Sequence, residues 1–118
     1  MFIIFANKYR KMIIAILIED QLKMSIGGCL SDASVFFIYD SVKKIKQILG
    51  LPDCEQKEMK SKCYSEYLKE HFVEMVYAKD LGPKAKSYLD DLWIKYSSNL
   101  ENDSVEDIIS NINKNRKR

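Results

Sequence analysis

Glycine and proline are scarce in this chain of 118 residues, four and two respectively. Little material remains for a glycine-rich phosphate cradle, and neither GxxxxGK[ST] nor GxGxxG occurs. Histidine appears once, as His71, so a Ser–His–Asp triad has a single candidate base. No serine stands in a GxSxG elbow either. The three cysteines, Cys29, Cys54 and Cys63, are an odd set and too sparse for a secreted disulfide scaffold. The interval between Cys54 and Cys63 is also too long for the closely spaced ligand pairs of zinc sites. Reduced thiols in the cytoplasm are therefore expected, the alternative being a Cys54–Cys63 bridge if a bend brings the two together. Charge of one sign is missing too. Lys and Arg number 19 against 17 Asp and Glu, a net charge of +2, so no global field steers the chain onto nucleic acid or an anionic membrane.

What is present is apolar and amphipathic. The hydrophobic fraction is 47% and the charged fraction 31%, the composition of a folding chain and not of a disordered one. The first 18 residues hold two apolar runs, Phe2 to Phe5 and Met12 to Ile18, separated by Asn7-Lys8-Tyr9-Arg10-Lys11. Neither run reaches the roughly 20 apolar residues of a membrane span. Joining them would place Lys8, Arg10 and Lys11 in hydrocarbon. Ile26-Gly27-Gly28-Cys29 resembles a bacterial lipoprotein cleavage box, but Glu19, Asp20 and Lys23 stand where such a leader stays uncharged. Export as a lipoprotein is a minor alternative. Phe2, Phe5, Tyr9, Met12, Ile13, Ile16 and Leu17 recur at helical steps, which predicts a helix. The isoleucine content supports instead a hairpin of FIIF and MIIAILI, and a helix lying on a membrane surface is a third reading.

Farther along, Ser31 or Asp32 caps a helix carrying Val35, Ile38, Val42, Ile45 and Leu49 on one side and Lys43, Lys44, Lys46 and Gln47 on the other, ended by Gly50 and Pro52. A longer helix is expected from Cys54 or Glu55 to Lys79, buried along Met59, Cys63, Tyr67, Phe72, Met75 and Val76. Gly82-Pro83 restarts the chain as a third helix, with Ala85, Tyr88, Leu89, Leu92, Trp93 and Tyr96 as its stripe. Trp93 reads as a core anchor. Asp103 with Glu106 resembles a capping box for a fourth, short helix through Val105, Ile108, Ile109 and Ile112. The expected fold is all-α: a compact bundle of four to five helices over residues 1–118, with a short basic tail from residue 113 to 118.

Candidate functional residues are few. Glu66, Glu70 and Glu74 form an i,i+4 anionic row on the long helix, either a solvated face or a recognition ridge for a basic partner. Lys114, Arg116, Lys117 and Arg118 are the cations of the tail, which contact nucleic acid or merely aid solubility. The adjacent carboxylates Asp90-Asp91 and Glu19-Asp20 diverge on a helix, and a lone helical histidine is ordinarily structural. No catalytic, metal-binding or cofactor-binding residue is expected. By elimination the chain reads as a non-catalytic protein-interaction module, an adaptor, inhibitor or assembly subunit, with homo-oligomerisation open. A nucleic-acid accessory protein and a membrane-surface protein are the alternatives.

Overall fold

Ile13–Asp20 is a strand, β1, and it lies at the centre of a six-stranded sheet. The structure, a computed structural model, describes residues 12–20, 22–27, 30–98 and 104–116. Among these follow β2 (Ser25–Ile26), β3 (Val35–Asp40), β4 (Ile45–Leu49), α1 (Lys60–Glu70), β5 (Met75–Tyr77), α2 (Pro83–Asp91), β6 (Lys95–Ser97) and α3 (Val105–Arg116). The strand order is β4-β3-β1-β5-β6, with β2 also paired to β1. β3 runs antiparallel to β1 in a register that sets Ile14 opposite Tyr39 and Ile18 opposite Val35. β5 is parallel to β1, and β6 parallel to β5.

The expected all-α bundle is thereby corrected to a mixed α/β fold. The physical reason lies in β1, where Ile14, Ala15, Ile16, Leu17 and Ile18 are all 0% exposed. A strand buried on both faces reads as an unbroken apolar run, so it lacks the alternation that marks a half-exposed strand. Residues 35–49, expected as one helix, are instead the hairpin β3–β4. Of the three readings of the amino-terminal segment, the one that makes MIIAILI a strand holds for β1, and its proposed partner FIIF lies outside the described residues. Residues 1–11, including Lys8, Arg10 and Lys11, lie outside the described residues. Ile26 and Gly27 follow β1 in the sheet, so a leader cut before Cys29 would carry away its central strand. Among the described residues no helix is long and apolar enough to cross a membrane.

Side chains alternate from β1 into two cores. Ala15 and Leu17 join Phe36, Tyr64, Leu68, Ala85 and Leu89, which seats α1 and α2 on one face. Ile14, Ile16 and Ile18 join Tyr39, Val105, Ile108 and Ile109, which seats α3 on the other. The Tyr39 hydroxyl donates to Asn113 Oδ1 at 3.0 Å and ties α3 to the sheet. Ser104 caps α3, its Oγ accepting from the amides of Glu106 at 3.1 Å and Asp107 at 3.3 Å. Asp103 is outside the described residues.

α1 and α2 both stop without glycine. At each end a residue takes the left-handed conformation, Phe72 at φ 63° and Trp93 at φ 61°. The amides of Phe72 and Val73 close back on the carbonyls of Lys69 and Leu68, both at 3.0 Å. Trp93 and Ile94 close back in the same way on Asp90 and Leu89, at 3.1 and 2.9 Å. These are paired Schellman turns in which an aromatic residue occupies the position usually held by glycine. Neither ring gains burial, for Phe72 is 79% and Trp93 89% exposed. Trp93 is therefore not the expected core anchor. Because the left-handed region costs a β-carbon about 1–2 kcal/mol and the exposed ring gives up little burial on removal, Trp93→Gly should stabilise the chain by about 1 kcal/mol after the entropy of an added glycine. An unchanged or lower urea midpoint would count against this strain.

Burial raises the phenol pKa of Tyr64 and of Tyr77 above the ordinary value of 10.0. Each proton is held more tightly in the folded state, so this contribution is complete below pH 10 and is lost as pH rises through the raised values. Urea midpoints should fall above about pH 10, and less steeply in Tyr77→Phe. Equal slopes in the two proteins would refute the assignment to Tyr77.

Candidate functional site

Where β1 and β5 begin, β3 ends and α1 stops, the elements leave a cavity of about 490 Å³. Its apolar walls are Ile13, Ile38, Ile45 and Leu49, and its polar lining is Asp40, Lys43, Gln47, His71 and Glu74, with Phe72 among them. Charges of both signs and one imidazole therefore converge on an apolar hollow. This is the composition of a binding site in which a few polar groups orient a ligand against hydrophobic walls.

The backbone explains why these side chains meet. Asp40 is buried at the end of β3, and its Oδ1 accepts from the amides of Val42 and Lys43, both at 3.0 Å. Lys44 completes that turn at φ 58°, its amide donating to the Asp40 carbonyl at 2.7 Å. The turn thus sets Lys43 at the cavity rim. The Schellman turn closing α1 places His71 and Phe72 opposite. Glu74 enters the sheet next, its amide donating to the Ile13 carbonyl and its carbonyl accepting from Lys95, both at 2.9 Å.

His71 carries the most chemistry. Its Nδ1 lies 2.9 Å from the Tyr67 carbonyl oxygen, which can only accept, so Nδ1 bears the proton. In the neutral ring this places the lone pair on Nε2, the arrangement by which a backbone carbonyl prepares an imidazole for a metal or a hydrogen-bond donor. The Tyr67 ring lies 4.6 Å away, centroid to centroid, and restrains the imidazole from one side. Far from being a structural core residue, His71 is exposed at the cavity.

The expected row Glu66, Glu70, Glu74 is broken by the helix end. Glu66 and Glu70 are exposed on α1, whereas Glu74 lies beyond the turn, half-buried in the cavity lining. Lys114 and Arg116 fall in the last turns of α3, and Lys117 and Arg118 lie outside the described residues. Asp40 and Gln47 were missed as site residues because a helix was expected there. Asp40-Ser41-Val42-Lys43 did carry a signal, since an aspartate two and three residues before the amides it accepts from is a turn signature. Asp20 repeats it toward Leu22 and Lys23, at 3.0 and 3.4 Å.

Cys54 and Cys63 are joined in a disulfide, with 6.2 Å between their Cα atoms, so the bridge held as the alternative is the one formed. Cys29 is outside the described residues. Among the described residues no three His, Cys, Asp or Glu side chains gather as a metal cage. Near the opposite end of the parallel strands, a hollow of about 510 Å³ is lined by Leu30, Ser31, Ser61, Gly82, Pro83, Lys84 and Ala85, with Lys84 its one titratable side chain.

Fold and cavity together define a three-layer α/β domain with a mixed sheet and a ligand-sized hollow at the amino ends of its first parallel strands. Residues 10–115 match the family described as dinitrogenase iron-molybdenum cofactor, and the chain belongs to that family. Among solved structures it is similar to the apo form of the orange protein from Desulfovibrio gigas, at 17% identity over 88% of each chain with a TM-score of 0.72. A putative NifB protein from Thermotoga is 20% identical over 89% of this chain and 90% of its own, with a TM-score of 0.66. A putative dinitrogenase from Methanocaldococcus jannaschii is 15% identical over 90% and 91%, with a TM-score of 0.63. At these identities the likeness establishes the fold alone. No curated protein matches the chain.

Proposed function

We propose that this chain is a non-catalytic carrier that takes a preformed iron–molybdenum cluster as cargo in the His71 cavity and passes it to a protein partner. The family description supplies the class of cargo. The donor set fits cargo better than a centre assembled from bare ions, because the described thiols are tied to each other and no protein cage is present among the described residues. A cluster that arrives with its own bridging atoms needs from the protein an anchoring donor and a shaped wall. His71 Nε2 supplies the donor, Lys43 and Gln47 the polar contacts to the cluster's anionic rim, and Ile13, Ile38, Ile45 and Leu49 the wall. The observation that carries this reading is the Nδ1 hydrogen bond to the Tyr67 carbonyl, which leaves Nε2 free to ligate.

The partner reading rests on Glu66 and Glu70, exposed on the helix that ends at the cavity, which would meet a basic surface. Anaerobic titration of the chain with isolated cluster should give binding that weakens by roughly 10–100-fold in His71→Ala, since even outer-shell changes cost that much at metal sites. Equal affinity in the two proteins would remove His71 from the site and the proposal with it.

A further inference from the structure

Away from the cavity, the bridged Cys54 and Cys63 line a shallow surface hollow of about 250 Å³ with Met59, Asp53, Glu55 and Gln56. Met59 precedes Cys63 by one helical turn, so the two stand on the same side of the start of α1. Both cysteines are partly exposed, within reach of a reductant. Cys54 belongs to the irregular stretch between β4 and α1, and Cys63 to the helix. The Tyr67 hydroxyl donates to the Gly50 carbonyl at 2.8 Å, which holds that stretch against α1 independently of the disulfide. The carbonyl oxygens of Pro52 and Asp53 lie 4.0 and 3.9 Å from the two sulfurs, positions suited to accept from thiols.

We propose that reduction of this bridge creates a binding site for copper(I), held by the sulfurs of Cys54, Cys63 and Met59. The reductant is a dithiol. Its thiolate attacks one bridge sulfur and breaks the S–S bond, and its second thiol then displaces the mixed disulfide. The reductant leaves as its own disulfide, and two electrons and two protons end on Cys54 and Cys63. Copper(I) then replaces both protons, forming two thiolate bonds and one thioether bond, with no change in its oxidation state. An all-sulfur set with a thioether selects a soft monovalent ion, whereas Asp53 and Glu55 are the harder donors that a zinc ion would recruit. Two sulfurs on one metal stand farther apart than two in a disulfide, and Cys54 can supply the movement because its segment is irregular while Tyr67 keeps it near.

The test uses the full chain carrying Cys29→Ser, reduced with a thiol-free phosphine under argon and titrated with copper(I) against a chromogenic chelator. One copper per chain should resist the chelator in the reduced protein and none in the oxidised protein. Cys54→Ser and Cys63→Ser should each abolish retention, and Met59→Leu should weaken it by roughly tenfold or more. The three variants and the reduced parent all lack the bridge under the conditions of the assay, so their comparison reads ligation and not loss of a cross-link. Equal uptake by the oxidised chain, retention in either serine variant, or displacement of copper(I) by equimolar zinc would overturn the proposal.

Discussion

Phe36→Ala is expected to lower the free energy of unfolding by about 3–5 kcal/mol, a large share of what a domain of this size possesses. Phe36 is 0% exposed and faces Leu17 across the β1–β3 register. Its ring meets Tyr64 edge-on at 5.8 Å and Tyr67 at 6.3 Å, so one side chain joins the sheet to α1. Truncation removes that apolar burial and leaves a hollow between two rigid layers that close only partly. Because Tyr67 also carries the carbonyl that orients His71, the variant should weaken ligand binding as well as stability. Urea unfolding measures the first effect, and a loss below about 1 kcal/mol would mean that the layers repack freely around the gap.

Ile108→Asp should cost a similar amount, about 3–5 kcal/mol, on the other side of the sheet. Ile108 is 3% exposed within the cluster that also holds Ile14, Ile16 and Tyr39. The change both strips apolar burial from that face and sets there a charge with no cation among the core side chains. Ser110→Asp, on the exposed side of α3, is the matched control and should be nearly neutral. Equal effects from the two variants would mean that α3 does not cover this face in solution.

Part of this architecture is legible in the residues. The restart at Gly82-Pro83 and the amphipathic pattern after it mark α2, and Val105, Ile108 and Ile109 mark the buried side of α3. The ends of α1 and α2 are not legible, because Phe72 and Trp93 hold left-handed positions that sequence rules assign to glycine. A pattern reader therefore carries helix through His71 and places Glu74 on a ridge it never joins. The sheet is concealed for a different reason. Val35 to Tyr39 and Ile14 to Ile18 are apolar on both sides, so spacings of three and four can be found in them as easily as spacings of two. What identifies them is β-branching and aromatic content together with the aspartate-led turns at Asp20 and Asp40, which place Lys23 and Lys43 just beyond a strand end. The cavity is hidden for the same reason, since its lining comes from three separated stretches, Ile13, Ile38 to Leu49 and His71 to Glu74, that only the sheet brings together.

The most direct test of the carrier reading is to map amide chemical shifts while isolated iron–molybdenum cluster is added to the labelled chain without oxygen. Binding in the proposed place shifts or broadens Lys43, Gln47, His71, Phe72 and Glu74 and leaves Ser31, Lys84 and Ala85 at the opposite end unmoved. Perturbation centred on Ser31, Lys84 and Ala85, with His71 unaffected, would contradict it and move the site to the far end of the sheet.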